Sequence, residues 1–230
     1  DKIWEYMKSD CSKCSGLCCT ALFFSKIDGF PKDKVSGQPC TNLLKDYRCK
    51  IHSQLEKQKM KGCIGYDCFG AGQQVTQVIY QGQTWNDIPN QSTEIFDVFI
   101  IIFQLYQIRY YLIEATSLIS AQPLEKSIHS LIEENIKMCH CCPNSILSLD
   151  LEQYRLRSNY ILKHVCKLLQ QSIHSEYKKI PANFLGSNFK GQDMSGADLS
   201  TKLLIATNFE KSVFNGTIFL GADTKIGRAS

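Results

Sequence analysis

At 230 residues the chain holds one large domain or two small ones, and its 43% hydrophobic and 21% charged content excludes a disordered chain. A net charge of +4 is too mild to demand a nucleic-acid or membrane partner, and neither is expected. Because the first residue is Asp1 rather than Met, we expect a front that has been trimmed.

The first part, about residues 1–90, is rich in Cys, Gly and Lys, with turn signals at Lys26 to Gly29, Ser36-Gly37 and Gln38-Pro39. Short helices are expected at Leu43 to Asp46 and His52 to Lys59, whereas Gln73 to Tyr80 fits a strand or a short helix equally. Eight of the twelve cysteines lie here: Cys11, Cys14, Cys18, Cys19, Cys40, Cys49, Cys63 and Cys68. Soft thiolates suit zinc and iron–sulfur clusters, and the Cys11-x-x-Cys14 pair lets two sulfurs reach one ion across a tight turn. The eight match either two four-ligand sites or one cluster with spare thiols. Cys18 and Cys19 are adjacent, point in different directions and can serve different sites. Disulfides are the weaker reading, because adjacent pairs such as Cys18-Cys19 are awkward for separate bridges and the chain has a sizeable core.

Other residues in this part carry less. His52 reads equally as a ligand or supporting donor and as a surface residue, and Asp67 reads as a turn cap before a partner for sulfur. Gly70-Ala71-Gly72-Gln73 lacks a third glycine at dinucleotide spacing and a following Gly-Lys-Ser/Thr, so a nucleotide site is not expected. The chain has no serine-nucleophile elbow and no paired-His motif for a catalytic zinc.

The second part, about 91–178, is helical. One helix is expected from Ser92 to about Leu118, a second after Pro123 and a third from near Asp150, which has capping-box spacing to Gln153. Short loops make this an antiparallel bundle. The stretch from Ile95 to Ile113 is long enough to span a bilayer, but Asp97, Gln104, Gln107 and Arg109 favour a buried core helix with Asp97 and Arg109 on an exposed or partner-facing stripe. Between the later helices, Cys139, His140, Cys141 and Cys142 read either as metal ligands or as a cysteine-rich loop, and Cys166 as a core thiol.

The third part, about 179–230, has a period of five. Phe184, Phe189, Met194, Leu199, Leu204, Phe209, Phe214, Phe219 and Thr224 sit at its centres, and small residues such as Ala182, Ser187 and Ala197 precede them by two. Such a period fits a solenoid better than a helix or an alternating strand.

This pattern resembles the pentapeptide-repeat family. The resemblance implies a C-terminal right-handed quadrilateral β-helix, and with it an α+β multi-part fold: a cysteine-rich metal-binding domain, an antiparallel helical bundle and the β-helix. The spacing Cys-x2-Cys-x3-Cys-Cys, with Cys40-Thr41-Asn42-Leu43 and Cys49-Lys50-Ile51-His52, resembles the CxxCxxCC-type zinc- or iron-chelating family over about the first 75 residues. Together they imply a bacterial, cytoplasmic protein that chelates zinc or iron through the eight cysteines, and the compact run from Cys11 to Cys19 favours an iron–sulfur cluster slightly ahead of zinc. Metal handling or redox sensing on a repeat scaffold is the expected role, with a protein partner on the repeat surface. An iron–sulfur modification enzyme and a structural zinc protein are the competing expectations. Mimicry of DNA is not expected, because Asp193, Asp198, Glu210 and Asp223 are balanced by Lys190, Lys202, Lys211 and Lys225.

Overall fold

The computed structural model describes residues 7–172, 184, 186–199, 202, 204–219 and 222. The repeat positions Ala182 and Thr224 and the charges Asp223 and Lys225 lie outside the described residues. The chain forms two compact units, Asp1–Glu114 with Ile128–Ser158, and Ala115–Ser127 with Asn159–Ser230.

The first unit begins with short elements. A 3-10 turn, Cys11–Lys13, is capped by Asp10, whose carboxylate accepts from Ser12 N at 2.9 Å. Helix α1 (Leu17–Ala21) follows. An antiparallel bridge, Phe24 with Lys34, then encloses the 3-10 turn Lys26–Asp28, which Ser25 and Asp28 close as a capping box. A second antiparallel bridge joins Leu43 to Cys49. Helix α2 (Lys61–Ile64) precedes α3 (Ala71–Gln73), which runs directly into a π-helical turn over Gln74–Ile79. The ambiguous stretch from Gln73 to Tyr80 is therefore helical, with an irregular winding that often marks a functional site.

Helix α4 (Ser92–Thr116) backs this region. Its length and composition would let it cross a membrane, yet Ile95, Val98, Phe99, Ile102, Leu105, Tyr106 and Leu112 are buried within the protein. Asp97 is exposed, whereas Arg109 is only 5% exposed, so the expected pairing of the two on one outer stripe is corrected. The Arg109 guanidinium stacks 4.0 Å from the Tyr106 ring and donates toward the Cys139 sulfur at 3.6 Å. An aromatic face and a polarisable sulfur take the place of water around this buried cation.

Helices α5 (Glu125–Met138), α6 (Pro143–Leu147) and α7 (Leu151–Ser172) complete the helical set, and Asp150 accepts from Gln153 N at 3.0 Å at the start of α7. Within the first unit, Asn135 is fully buried. It donates to Leu105 O at 3.0 Å and Tyr154 Oη at 3.1 Å, while the Tyr154 hydroxyl donates to Leu131 O at 3.0 Å. Asn135→Ala leaves a void and removes the donor to Leu105 O and to the Tyr154 oxygen, so urea unfolding should show a loss of about 2–3 kcal/mol.

In the second unit the expected quadrilateral β-helix is corrected. Among the described residues no β-strand forms; the cross-chain pairing consists of isolated parallel bridges, Asn188 with Asn208, Asp193 with Val213 and Asp198 with Ile218. The physical reason is the turn between bridges. The backbone enters the left-handed region at Gly186, Gly191, Gly196, Ala206, Lys211 and Gly216, so extended residues never run long enough to build a ladder. Phe184, Met194, Ala197, Leu199 and Leu204 form the buried core of this tract, with Phe189, Phe209 and Phe214 packed against it. Hydroxyls also hold it: Thr207, Ser212 and Thr217 donate to the carbonyls of Phe184, Phe189 and Met194, each at 2.7 Å.

Candidate metal-binding site

All twelve cysteines are free thiols. The first eight line one cavity of about 370 Å³, together with His52, Tyr66, Asp67 and an apolar wall that includes Phe24, Phe30 and Leu55. Residues up to 57 positions apart in sequence thus face one space.

The N-terminal loop reaches this place through the π-helical segment. Gln73 accepts from Asp10 N at 2.7 Å and donates to Lys8 O at 3.0 Å, Thr76 accepts from Ser15 N at 3.1 Å, and Gln77 donates to Lys13 O at 3.0 Å. Trp85 Nε1 donates to Ser15 O at 2.8 Å. These bonds tie the chain from Lys8 to Ser15 to segments more than sixty residues later, and α3 with the π turn brings Gln73, Thr76 and Gln77 to bear on it.

Backbone amides aim at several sulfurs. Asn42 N donates to Cys40 Sγ at 3.4 Å. The backbone amides of Leu17 and Gly16 near Cys14, and that of Ile51 near Cys49, act to lower those thiols. Such N–H donors favour thiolate. Burial opposes them and prevails: it pushes the Cys14 thiol up to about 12 and Cys63 to about 11, and it raises Cys11 and Cys49 as well. Cys18 lies 4.0 Å from Cys19, sulfur to sulfur, where either thiol can donate; the contact lowers Cys19 and raises Cys18.

Lys34 is the buried cation beside this group. It is 8% exposed and donates to the carbonyls of Thr20 at 2.7 Å, Val35 at 3.2 Å and Leu22. Burial lowers its pKa, and Cys40, Cys19 and Cys18 partly restore it.

Gly72 completes the cavity wall. A Cβ there would stand 2.6 Å from the Cys14 sulfur and 4.0 Å from that of Cys68. Gly72→Ala should therefore displace Cys14 and weaken zinc uptake at that end of the cavity about tenfold or more, with helical content preserved; competition against a chromophoric chelator reads this.

Among the described residues, no three His, Cys, Asp or Glu side chains converge closely enough to hold one ion as they stand. The expected zinc or iron–sulfur centre is therefore not found among the described residues: the thiols surround a space and do not meet at a point. The donor chemistry nevertheless fits a thiophilic metal, through the eight cysteines of the lining, the Asn42 amide on the Cys40 sulfur and the bare backbone of Gly72 against two sulfurs.

The remaining expected residues fall as follows. His52 lines the cavity near its apolar wall. Asp67 caps its turn, accepting from Phe69 N at 2.8 Å and from the Ser9 hydroxyl. Cys139, His140, Cys141 and Cys142 do not line the cavity. His140 bonds Ile136 O at 2.8 Å and Cys141 bonds Lys137 O at 3.4 Å, back along their own helix, while Cys142 meets Ser145 Oγ at 3.2 Å. Cys166 is half-buried in α7, and burial raises its pKa. Thr76, Gln77, Trp85 and Lys34 were not singled out by sequence, and Gly72 and Gln73 were weighed there only as part of a rejected nucleotide loop. A polar face on a segment of undecided winding was the one signal for the glutamines and the threonine.

Among curated proteins, the chain is similar to "Uncharacterized protein YybG" of Bacillus subtilis (strain 168), with 35% identity over 181 residues, 79% of this chain. The match spans 64% of that protein's length. No family model matches the chain, so the resemblance to pentapeptide-repeat proteins with a chelating domain is corrected here as it was in the fold. No solved structure matches.

Proposed function

We propose that this protein is a metal-binding module whose cysteine chamber takes up a thiophilic metal, either zinc or iron in a sulfur cluster. The observation that carries the reading is that all eight early cysteines line one cavity of about 370 Å³. A structural role for thiols alone does not need eight of them around one space. Burial keeps most of these thiols protonated, and an entering cation would replace those protons and bind the sulfurs outright. Cys11, the exposed member of the eight, offers an incoming ion a thiol at the surface. That arrangement supports metal handling ahead of catalysis.

Metal analysis of protein purified without oxygen tests this. A brown sample with a visible absorbance band, containing iron and sulfide, supports a cluster. A colourless sample with stoichiometric zinc supports the zinc form. Protein that holds neither, and takes up neither when supplied under reducing conditions, contradicts the reading.

A further inference from the structure

We infer that the chamber comprises two abutting four-sulfur sites, one of Cys11, Cys14, Cys18 and Cys68 and the other of Cys19, Cys40, Cys49 and Cys63, each for one thiophilic divalent ion. This rests on the metal-binding reading above and adds to it the number of ions and the division of ligands.

The local geometry makes the division. On one side, Cys11 and Cys14 share a single turn, with Cys14 N donating to Cys11 O at 3.5 Å. The sulfurs of Cys14 and Cys68 both face the bare backbone of Gly72. Ser9, just before the same loop, lies 3.1 Å from the Cys68 sulfur and bonds Asp67 beside it. These contacts draw the chain around residue 68 onto the Cys11 loop.

On the other side, Cys40 N donates to Cys19 O at 2.9 Å. The bridge from Leu43 to Cys49 and the bond from Lys50 N to Asn42 O, at 2.8 Å, fold Cys40 and Cys49 onto one loop. Cys40, Cys49 and Cys63 then pack against the same buried trio of Phe30, Ile51 and Met60. Cys18 and Cys19, with sulfurs 4.0 Å apart, stand at the junction and supply one ligand to each side. Successive residues on one short helix turn their side chains roughly 100° apart, which suits that split. The Lys34 amine, held by three carbonyls, is influenced by Cys40 and Cys19 and also by Cys18 at the junction. It offsets part of the negative charge that a four-thiolate zinc site carries.

Loading is a ligand exchange without electron transfer. At each site one divalent ion and four thiols give a tetrathiolate complex of net charge −2 and four released protons, fewer where a thiol is already ionised.

Zinc titration of the reduced full chain, followed by native mass spectrometry, tests the division. Wild type should bind two ions. Cys14→Ser with Cys68→Ser should retain one, and Cys40→Ser with Cys63→Ser should retain one, each with its helical circular dichroism intact. If a double variant loses helical signal, the single variants Cys68→Ser and Cys63→Ser replace it, each expected to weaken one of two binding steps and leave the other. A wild type that saturates at one ion, or a folded variant of either kind that loses both steps together, overturns the two-site inference and leaves the metal-binding reading standing. A wild type that binds no zinc, and no iron when supplied with iron and sulfide, overturns both.

Discussion

Loading the reduced full chain with zinc is expected to raise the thermal midpoint of its cysteine-rich unit by roughly 10 °C, since saturation at a thousand times Kd adds about 4 kcal/mol. The region that gains is built of short turns, single bridges and brief helices. Such a region has little regular backbone bonding of its own, so ligand bonds form a large share of what holds it. The gain should depend on pH in a definite direction. Thiols raised by burial must lose protons to bind metal, so affinity falls as pH falls, by about tenfold per unit for each proton released. Without metal the dependence is reversed. Cys14 at about 12 and Cys63 at about 11 keep protons in the folded state that an unfolded thiol gives up near 9.0. Stability of the metal-free protein is then level below pH 8 and declines as pH rises from about 9 through those raised values. Differential scanning calorimetry at several pH values, with and without zinc, reads both trends.

Gly29→Ala should be the most damaging single substitution outside the ligands, costing about 3 kcal/mol or more. Gly29 has φ +94, in the left-handed region, and closes the capped turn Lys26–Asp28. A Cβ there would stand 2.1 Å from Lys59 O and 3.0 Å from Met60 Cα. Both obstacles are backbone, so the chain itself must move. Phe30 and Met60, the neighbours on either side of that contact, are two of the three buried residues against which Cys40, Cys49 and Cys63 pack. The substitution should therefore lower the thermal midpoint and also weaken zinc binding at the Cys40 side before the Cys14 side. Normal stability and normal zinc uptake in this variant would mean that the packing of Phe30 on Met60 does not shape the chamber.

How far the molecule could be read in its residues varies with the range of the interactions. The cysteine positions and the helix starting at Ser92 rest on local signals, namely spacing and periodicity, and these are plain in the chain. The winding of Gln74–Ile79 was not, because a π turn differs from an α turn only in which carbonyl each amide meets. Its consequence was hidden too: the bonds from Gln73, Thr76 and Gln77 to the Cys11 loop span more than sixty positions and leave no spacing to read. Arg109 was expected on an outer stripe because a lone charge is costly to bury, yet Tyr106 and Cys139 receive it. In the C-terminal tract the period of five was visible. Its translation into strands failed because a left-handed turn follows the bridging positions Asn188, Asp193, Asn208 and Val213 before a ladder can extend.

The most direct test of the central claim is X-ray absorption at the zinc edge on the full chain loaded without oxygen and freed of excess metal. A first shell of four sulfurs at about 2.3 Å is the expected result, because eight cysteines line the chamber. A shell of nitrogen and oxygen at about 2.0–2.1 Å, or zinc that is lost on desalting, would contradict it.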